Sequence, residues 1–195
     1  MRLILASASP RRKELLRAAG FTFRARVSSI EPLPRRAESP AAFARRAARA
    51  KALDVGASSP RGALVLAADT VVVARGEILG KPAGPEDAAR MLRILSGTTH
   101  RVVTGVCLVL APRRIQVLKH ETSLVRFRKL QESEMRDYLR SGEPFDKAGA
   151  YGIQGRASRF VKRIEGCYFN VVGLPVPLVC EILKPFLADI RQGVH

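Results

Sequence analysis

Cysteine, histidine and aromatic residues are scarce in this 195-residue chain, and its acidic residues number half its basic ones. Cys107, Cys167 and Cys180 are odd in number and far apart. That excludes a disulfide framework and a Cys-x-x-Cys metal knot, and small buried residues is the plain reading. His100, His120 and His195 stand singly, so no histidine pair is spaced to hold zinc, and each reads as a surface or core-edge histidine. No apolar run approaches the roughly 18 residues of a membrane span. The N-terminus also lacks a cationic segment leading into a long apolar core with a small-residue cleavage site, so the default expectation is a cytoplasmic protein with no membrane partner. A Gly-x-Ser-x-Gly elbow is missing. Gly76 to Pro82 has too short a glycine spacing for a Walker A loop, and Pro82 stands where that loop needs Ser or Thr.

What is abundant is positive charge. The formal net charge of +17 points to polyanionic partners: nucleic acid, anionic lipid or phosphorylated small molecules. Aromatics make up only 6% and do not interleave with the basic residues, so no single-strand-binding stripe exists and no specific nucleic acid is expected. Arg45, Arg46 and Arg49 read as a solvated helix face. With 47% apolar residues the chain can bury a substantial core, and one domain over 1–195 is the leading expectation.

Strand and helix signals alternate along the chain, without repeats. Leu3 to Ala6 is an apolar strand running into Ser7-Ala8-Ser9-Pro10-Arg11-Arg12. Ser9 suits a helix N-cap, Pro10 the first helical position, and Gly20 the stop. A helix N-terminus beside two guanidinium groups is an anion site. Ser39 to Gly56 reads as a second capped helix, Ala63 to Ala74 as a buried strand, and Gly84 to Gly97 as a third helix with its stop. Val102 to Leu110 and Ile115 to Phe127 are strands flanking the Pro112-Arg113-Arg114 turn. Glu132 to Arg140 is helical, and Pro175 to Ile190 is a terminal helix interrupted at Pro185. The pattern is mixed α/β with antiparallel hairpins, which argues against a uniformly parallel sheet.

Asp69 interrupts the apolar run Val65 to Val73. A carboxylate in a buried strand is costly unless it is paired, hydrogen-bonded or metal-bound, so a functional carboxylate explains it; a strand end or bulge is the alternative. Lys81 follows a hairpin's length later, able to bind phosphate, to pair with the carboxylate, or to sit in an ordinary surface turn.

Five segments in order, Leu5 to Arg12, Ala68-Asp69-Thr70-Val71-Val72, Leu79-Gly80-Lys81-Pro82, Asp146 to Gly155 and Asn170-Val171-Val172-Gly173-Leu174-Pro175, closely resemble the Maf (septum formation inhibitor-like) nucleoside triphosphate pyrophosphatases. The resemblance spans nearly the whole chain. It implies an elongated mixed α/β fold with two lobes around a central cleft, like that of inosine triphosphate pyrophosphatases, and a homodimer. It also implies hydrolysis of a nucleoside triphosphate to the monophosphate and pyrophosphate by water attack on the α-phosphorus, with Asp69 as the catalytic carboxylate. The charge of a triphosphate suits the donors Ser7, Ser9, Arg11, Arg12, Lys51, Lys81 and Lys147 and a divalent metal, Mg²⁺ first and Mn²⁺ second. The family's acidic pair after the second strand is here Glu31 followed by Pro32. Either Glu31 supplies the second metal ligand, or the metal relies on Asp69 and the substrate phosphates.

Three further positions bear on the substrate. The 7-methylguanosine branch of the family carries a tryptophan at the place matching Arg12 and a carboxylate at the place matching Gln154. Arginine repels a positively charged purine, while Gln154 offers one donor and one acceptor to the N3–H and O4 of thymine or uracil. With Thr70, these residues resemble the dTTP/UTP branch. Two other readings remain: a non-catalytic basic protein that binds DNA or a division protein, and a pyrophosphatase for modified purine nucleotides.

Overall fold

The structure, a computed structural model, describes residues 1–192. His195 lies outside the described residues. Strand β1 (Leu3–Ala6) leads into helix α1 (Pro10–Ala18), where the Arg12 amide donates to the Ser9 hydroxyl at 3.4 Å and Gly20 turns the chain at a φ of 83°. After β2 (Arg24–Arg26) comes the long helix α2 (Pro40–Ala57), capped by Ser39. Strands β3 (Leu64–Ala74) and β4 (Glu77–Leu79), helix α3 (Pro85–Leu95), and strands β5 (Thr99–Leu110) and β6 (Arg114–Phe127) follow. Helix α4 (Glu132–Arg140) precedes a series of 3₁₀ turns and strand β7 (Val161–Glu165). The chain ends in α5 (Tyr168–Val172), α6 (Val176–Leu183) and α7 (Leu187–Gln192), with a 3₁₀ turn at Lys184–Phe186 where Pro185 interrupts the helix.

One sheet has the order β2-β1-β3-β5-β6-β7, with β4 paired to β3. β1 is parallel to β2 and β3, whereas β4 is antiparallel to β3 and β7 to β6. The sheet is therefore mixed, as the alternation of hairpin and crossover signals implies. The chain divides into two compact units. The first holds Met1–Asp69, Thr104–Glu121 and the chain from Gly173; the second holds Thr70–Val103 and Thr122–Val172.

In the first unit, small side chains of α2 (Ala48, Ala52) lie against Ile4, Val65, Ala67, Cys107 and Val109. Close approach is the reason for the alanines. At Gly105 an added Cβ would fall 2.2 Å from backbone atoms of Ala44, so helix and strand touch backbone to backbone. Cys107 is buried and its thiol is pushed up to about 12, which makes it an inert core residue.

The second unit gathers much of the chain's small aromatic complement. Phe127 meets His100 edge-on at 5.0 Å and Tyr151 at 4.8 Å, and Tyr138 meets Phe160 at 5.3 Å. His100 is buried, its Nε2 2.8 Å from the Tyr151 hydroxyl. It is thus a core histidine, further inside than the edge position that its sequence context suggests. Asn170 donates to the Val102 carbonyl and to the Ser123 hydroxyl, each at 3.0 Å, and so pins α5 to β5 and β6.

Two outcomes follow from this packing. Gly105→Ala should lower unfolding free energy by roughly 3 kcal/mol, the upper end of overpacking costs, because backbone cannot yield as a side chain does. Gly80→Ala, with open space around the new methyl, should change it little; both are read by urea denaturation. Burial lowers the His100 pKa to about 4 from 6.5. Its neutral form is the one the fold accepts, so its contribution is complete above pH 6.5 and lost as pH falls toward 4, by about 3 kcal/mol in total. His100→Phe should flatten stability against pH within that window, and an unchanged slope would contradict the assignment.

Candidate active site

Asp69 lies within β3, between Ala68 and Thr70, and is buried. It does not stand at a strand end. Its Oδ1 accepts from Lys51 Nζ at 2.7 Å, and the same ammonium meets Glu31 Oε2 at 3.0 Å. Two carboxylates therefore converge on one cation. Asp69 and Lys51 side chains are 13% and 10% exposed, whereas that of Glu31 is 69% exposed. These values separate the two contacts: the Asp69–Lys51 pair is shielded from solvent and mutually required, and the Glu31 contact is a screened surface pair worth at most about 1 kcal/mol. Lys51, expected from sequence as a phosphate donor, is engaged by carboxylates in this structure.

Helix α2 positions this cluster through three side chains. Lys51 reaches the sheet. Asp54 accepts from the Ser28 hydroxyl at 2.7 Å and the Ser29 amide at 2.8 Å, bonds that hold its carboxyl below the usual range. Arg46 donates to both Glu38 oxygens at 2.7 Å and to the Leu33 carbonyl at 2.8 Å. The segment carrying Glu31-Pro32 is thereby fastened to α2 on both sides of Glu31. In the sequence Arg46 reads as part of a solvated face and Asp54 has no evident role, because the partners of each lie outside its helix.

The helix α1 entrance adds the other donors of the first unit. Ser7 is buried; its hydroxyl accepts from the Ser9 amide at 3.2 Å and from Arg12 Nη1 at 3.5 Å. Arg12 Nε donates to the Gly173 carbonyl at 2.8 Å, which joins the first of the five sequence segments to the last. Gly173 has a φ of 127°, a conformation that a side chain resists, and this turns its carbonyl. Burial lowers the Arg12 pKa while the charges of Asp69 and Glu31 act to raise it. The guanidinium remains charged. Arg11 is half-buried on the first turn of α1.

The remaining candidates belong to the second unit. Thr70 follows Asp69 on β3 and is half-buried. Lys81 is exposed two residues beyond the Val72–Leu79 pair. Its loop is stitched to that of Lys147, since the Gly149 amide donates to the Gly80 carbonyl at 2.9 Å. Gly149, at a φ of 68°, lies so close to Val72 that a Cβ would stand 3.0 Å from its side chain. Lys147 Nζ donates to the Glu143 carbonyl at 2.6 Å and Asp146 Oδ1 at 2.5 Å. Gln154 is exposed in a turn supported from below by Glu143, whose carboxylate accepts from Tyr138 OH at 3.1 Å and from the Arg156 amide at 2.9 Å. A Cβ at Gly155 would collide with that carboxylate at 2.1 Å. Glu143 and Tyr138 carried no local signal in the sequence.

Among the described residues no group of three His, Cys, Asp or Glu side chains stands ready to enclose a metal. Two carboxylates facing one cation offer the oxygen ligands that a hard divalent cation takes. Asp69 and Glu31 are the residues that would hold it.

Removing Lys51 strands a buried carboxylate. Lys51→Met should therefore cost about 3–5 kcal/mol of stability, and Glu31→Gln less than about 1 kcal/mol. The apolar pair Lys51→Met/Asp69→Leu should recover most of the loss. Equal losses from Lys51→Met and Glu31→Gln in urea denaturation would contradict the division into a buried and a screened contact.

The family model described as Maf-like protein matches residues 2–186. The chain is 50% identical over 184 residues to a dTTP/UTP pyrophosphatase of Koribacter versatilis, covering 94% of each chain. It is 51% identical over 189 residues to a dTTP/UTP pyrophosphatase of Moorella thermoacetica, covering 97% of each. In fold it is similar to a HAM1 protein from Coxiella burnetii, with a TM-score of 0.50, 15% identity and coverage of 95% of this chain and 99% of that one. The five segments that place Arg12, Asp69, Lys81, Lys147 and Gly173 all fall within the matched residues, and the chain belongs to the Maf family.

Proposed function

We propose that this protein is a nucleoside triphosphate pyrophosphatase that hydrolyses dTTP and UTP to the monophosphate and pyrophosphate, the whole chain serving as one catalytic domain. The observation that carries the reading is the buried Asp69 carboxylate, held by Lys51 beside Glu31 and sensed by Arg12, in a chain about half identical to dTTP/UTP pyrophosphatases. No helix among the described residues is long and apolar enough to cross a membrane. The family resemblance supports a homodimer.

In the reaction, water oxygen bonds to the α-phosphorus, the bond from that phosphorus to the bridging oxygen of the β-phosphate breaks, and pyrophosphate leaves. Asp69 Oδ2 is free of the Lys51 contact, so the carboxylate can orient the water and take its proton while Oδ1 stays anchored. A divalent metal, Mg²⁺ first and Mn²⁺ second, bound by Asp69 and Glu31 would supply charge neutralisation at the phosphates. Arg11, Lys81 and Lys147 neutralise the triphosphate, with Ser7, Ser9 and the first turn of α1 donating hydrogen bonds to it. Lys51 acts first on the carboxylates, positioning Asp69.

Specificity falls to Arg12, Thr70 and Gln154. Arg12 is tethered through Nε to Gly173 and through Nη1 to Ser7, which orients the guanidinium that meets a pyrimidine carbonyl. Gln154 matches N3–H and O4 through its amide. The site contains no aromatic or acidic residue at these two positions to welcome a cationic purine.

Asp69→Asn should keep the fold and lose roughly 10²-fold or more in kcat, and near-normal pyrophosphate release would remove Asp69 from the chemistry. Lys81→Ala and Arg11→Ala should each cost on the order of 2–4 kcal/mol in kcat/KM, with Arg45→Ala close to neutral. Across a nucleotide panel, dTTP and UTP should be turned over well above 7-methyl-GTP, ATP and GTP. They should differ from each other by no more than the 1–3 kcal/mol or so that one methyl group provides. A preference for 7-methyl-GTP or another purine would contradict the roles of Arg12 and Gln154.

A further inference from the structure

The second unit contains a groove that the proposed chemistry does not use. It has a cavity volume of about 450 Å³ and is walled by the end of α3, the turn after it, the end of β6 and the start of β7. Five cations line it, and no acidic residue does. Two of them are already committed. Arg93 grips Glu132 through Nε and Nη2, each at 2.9 Å, and Arg128 grips Glu134 at 2.9 and 2.5 Å. Glu132 and Glu134 both belong to the first turn of α4. The other three, Arg126, Lys129 and Lys162, are exposed and have no ion pair or side-chain hydrogen bond among the described residues.

The sheet is built irregularly at this point. Arg126 pairs with Arg163, but the next residue, Phe127, pairs with Val161, so Lys162 is an extra residue on β7. Such a bulge re-aims a side chain, and bulges recur beside binding sites. Without it, Lys162 would lie opposite the buried Phe127, where an ammonium is costly. With it, Val161 takes that place and Lys162 lines the groove together with Arg126. Three like charges gathered in one concavity repel one another, a cost that a bound anion reverses.

We propose that this groove is a second binding site, for a small polyphosphate chain. Its volume is that of a small-ligand pocket, and three unpaired cations match the charge of a pyrophosphate or triphosphate group. The Ser96 hydroxyl, which accepts from the Leu130 amide at 2.8 Å, has its own proton left to donate. An extended nucleic acid fits less well, since the groove is short and its one aromatic, Phe127, is buried and offers no stacking face. None of the lining residues belongs to the proposed catalytic set, so the inference stands apart from the assigned activity.

Calorimetric titration of the full chain at physiological salt, first with inorganic pyrophosphate and then with α,β-imido-dTTP, tests the site against the variant Arg126→Ala/Lys129→Ala/Lys162→Ala. The triple variant should lose one equivalent of pyrophosphate, or bind it at least tenfold more weakly, with kcat and KM for dTTP in pyrophosphate-free assays unchanged. Parallel loss of an imido-dTTP equivalent would identify the ligand as a nucleotide; loss of pyrophosphate alone would identify the free polyphosphate. Identical stoichiometry and affinity in both proteins would overturn the proposal. So would a third titration, with short duplex DNA, in which the triple variant loses DNA binding while its pyrophosphate binding is unchanged, which would make the groove a nucleic-acid contact.

Discussion

The bond between Asp69 and Lys51 is the constraint around which the first unit is arranged. A carboxylate in the middle of an apolar strand is costly unless it is paired, hydrogen-bonded or metal-bound, and here the partner is a cation from another element. Helix α2 delivers it, which requires α2 to lie close to the sheet. The closeness in turn requires alanine along the inner face of the helix and glycine at position 105. Small residues, a long helix and a buried ion pair are thus one solution to one electrostatic problem. Replacing such a pair with apolar residues is often neutral for stability, so its retention is better understood through reactivity than through folding energy.

The same helix governs the segment that carries Glu31. Arg46 and Asp54 hold that segment on either side of Glu31 while Lys51 draws Glu31 toward Asp69. Glu31, followed here by Pro32, is thereby kept at 3.0 Å from Lys51. The entrance to α1 adds Arg12, whose Nε is spent on Gly173 and whose charge is set against Asp69 and Glu31. In the second unit, the loops of Lys81 and Lys147 are joined through Gly80 and Gly149, and the turn of Gln154 rests on Glu143. Arg12, Lys81, Lys147 and the turn of Gln154 are each held by a backbone contact or by a side chain from elsewhere in the chain.

Much of this was legible in the sequence where the signal is local. Ser9-Pro10 and Ser39-Pro40 announce helix starts because a cap acts within one turn, and Pro185 marks the interruption of the last helix for the same reason. Asp69 was conspicuous because burying an unpaired charge costs more than any strand propensity returns. What could not be read was the partner of each group. Lys51 reads as a phosphate donor in the sequence, where its only near acid, Asp54, follows three residues later, and the structure gives it Asp69, 18 positions away. Glu143, beneath Gly155, and the bulge at Lys162 are likewise products of tertiary pairing, to which a linear pattern carries no pointer.

The central claim is that the buried pair exists for hydrolysis and not for folding. The measurement that separates the two is kcat/KM for dTTP in the doubly apolar variant Lys51→Met/Asp69→Leu, taken alongside its urea unfolding curve. The account predicts a protein that unfolds near the wild-type midpoint and releases pyrophosphate at least roughly 10²-fold more slowly. A stable variant that still hydrolyses dTTP at the wild-type rate would contradict it.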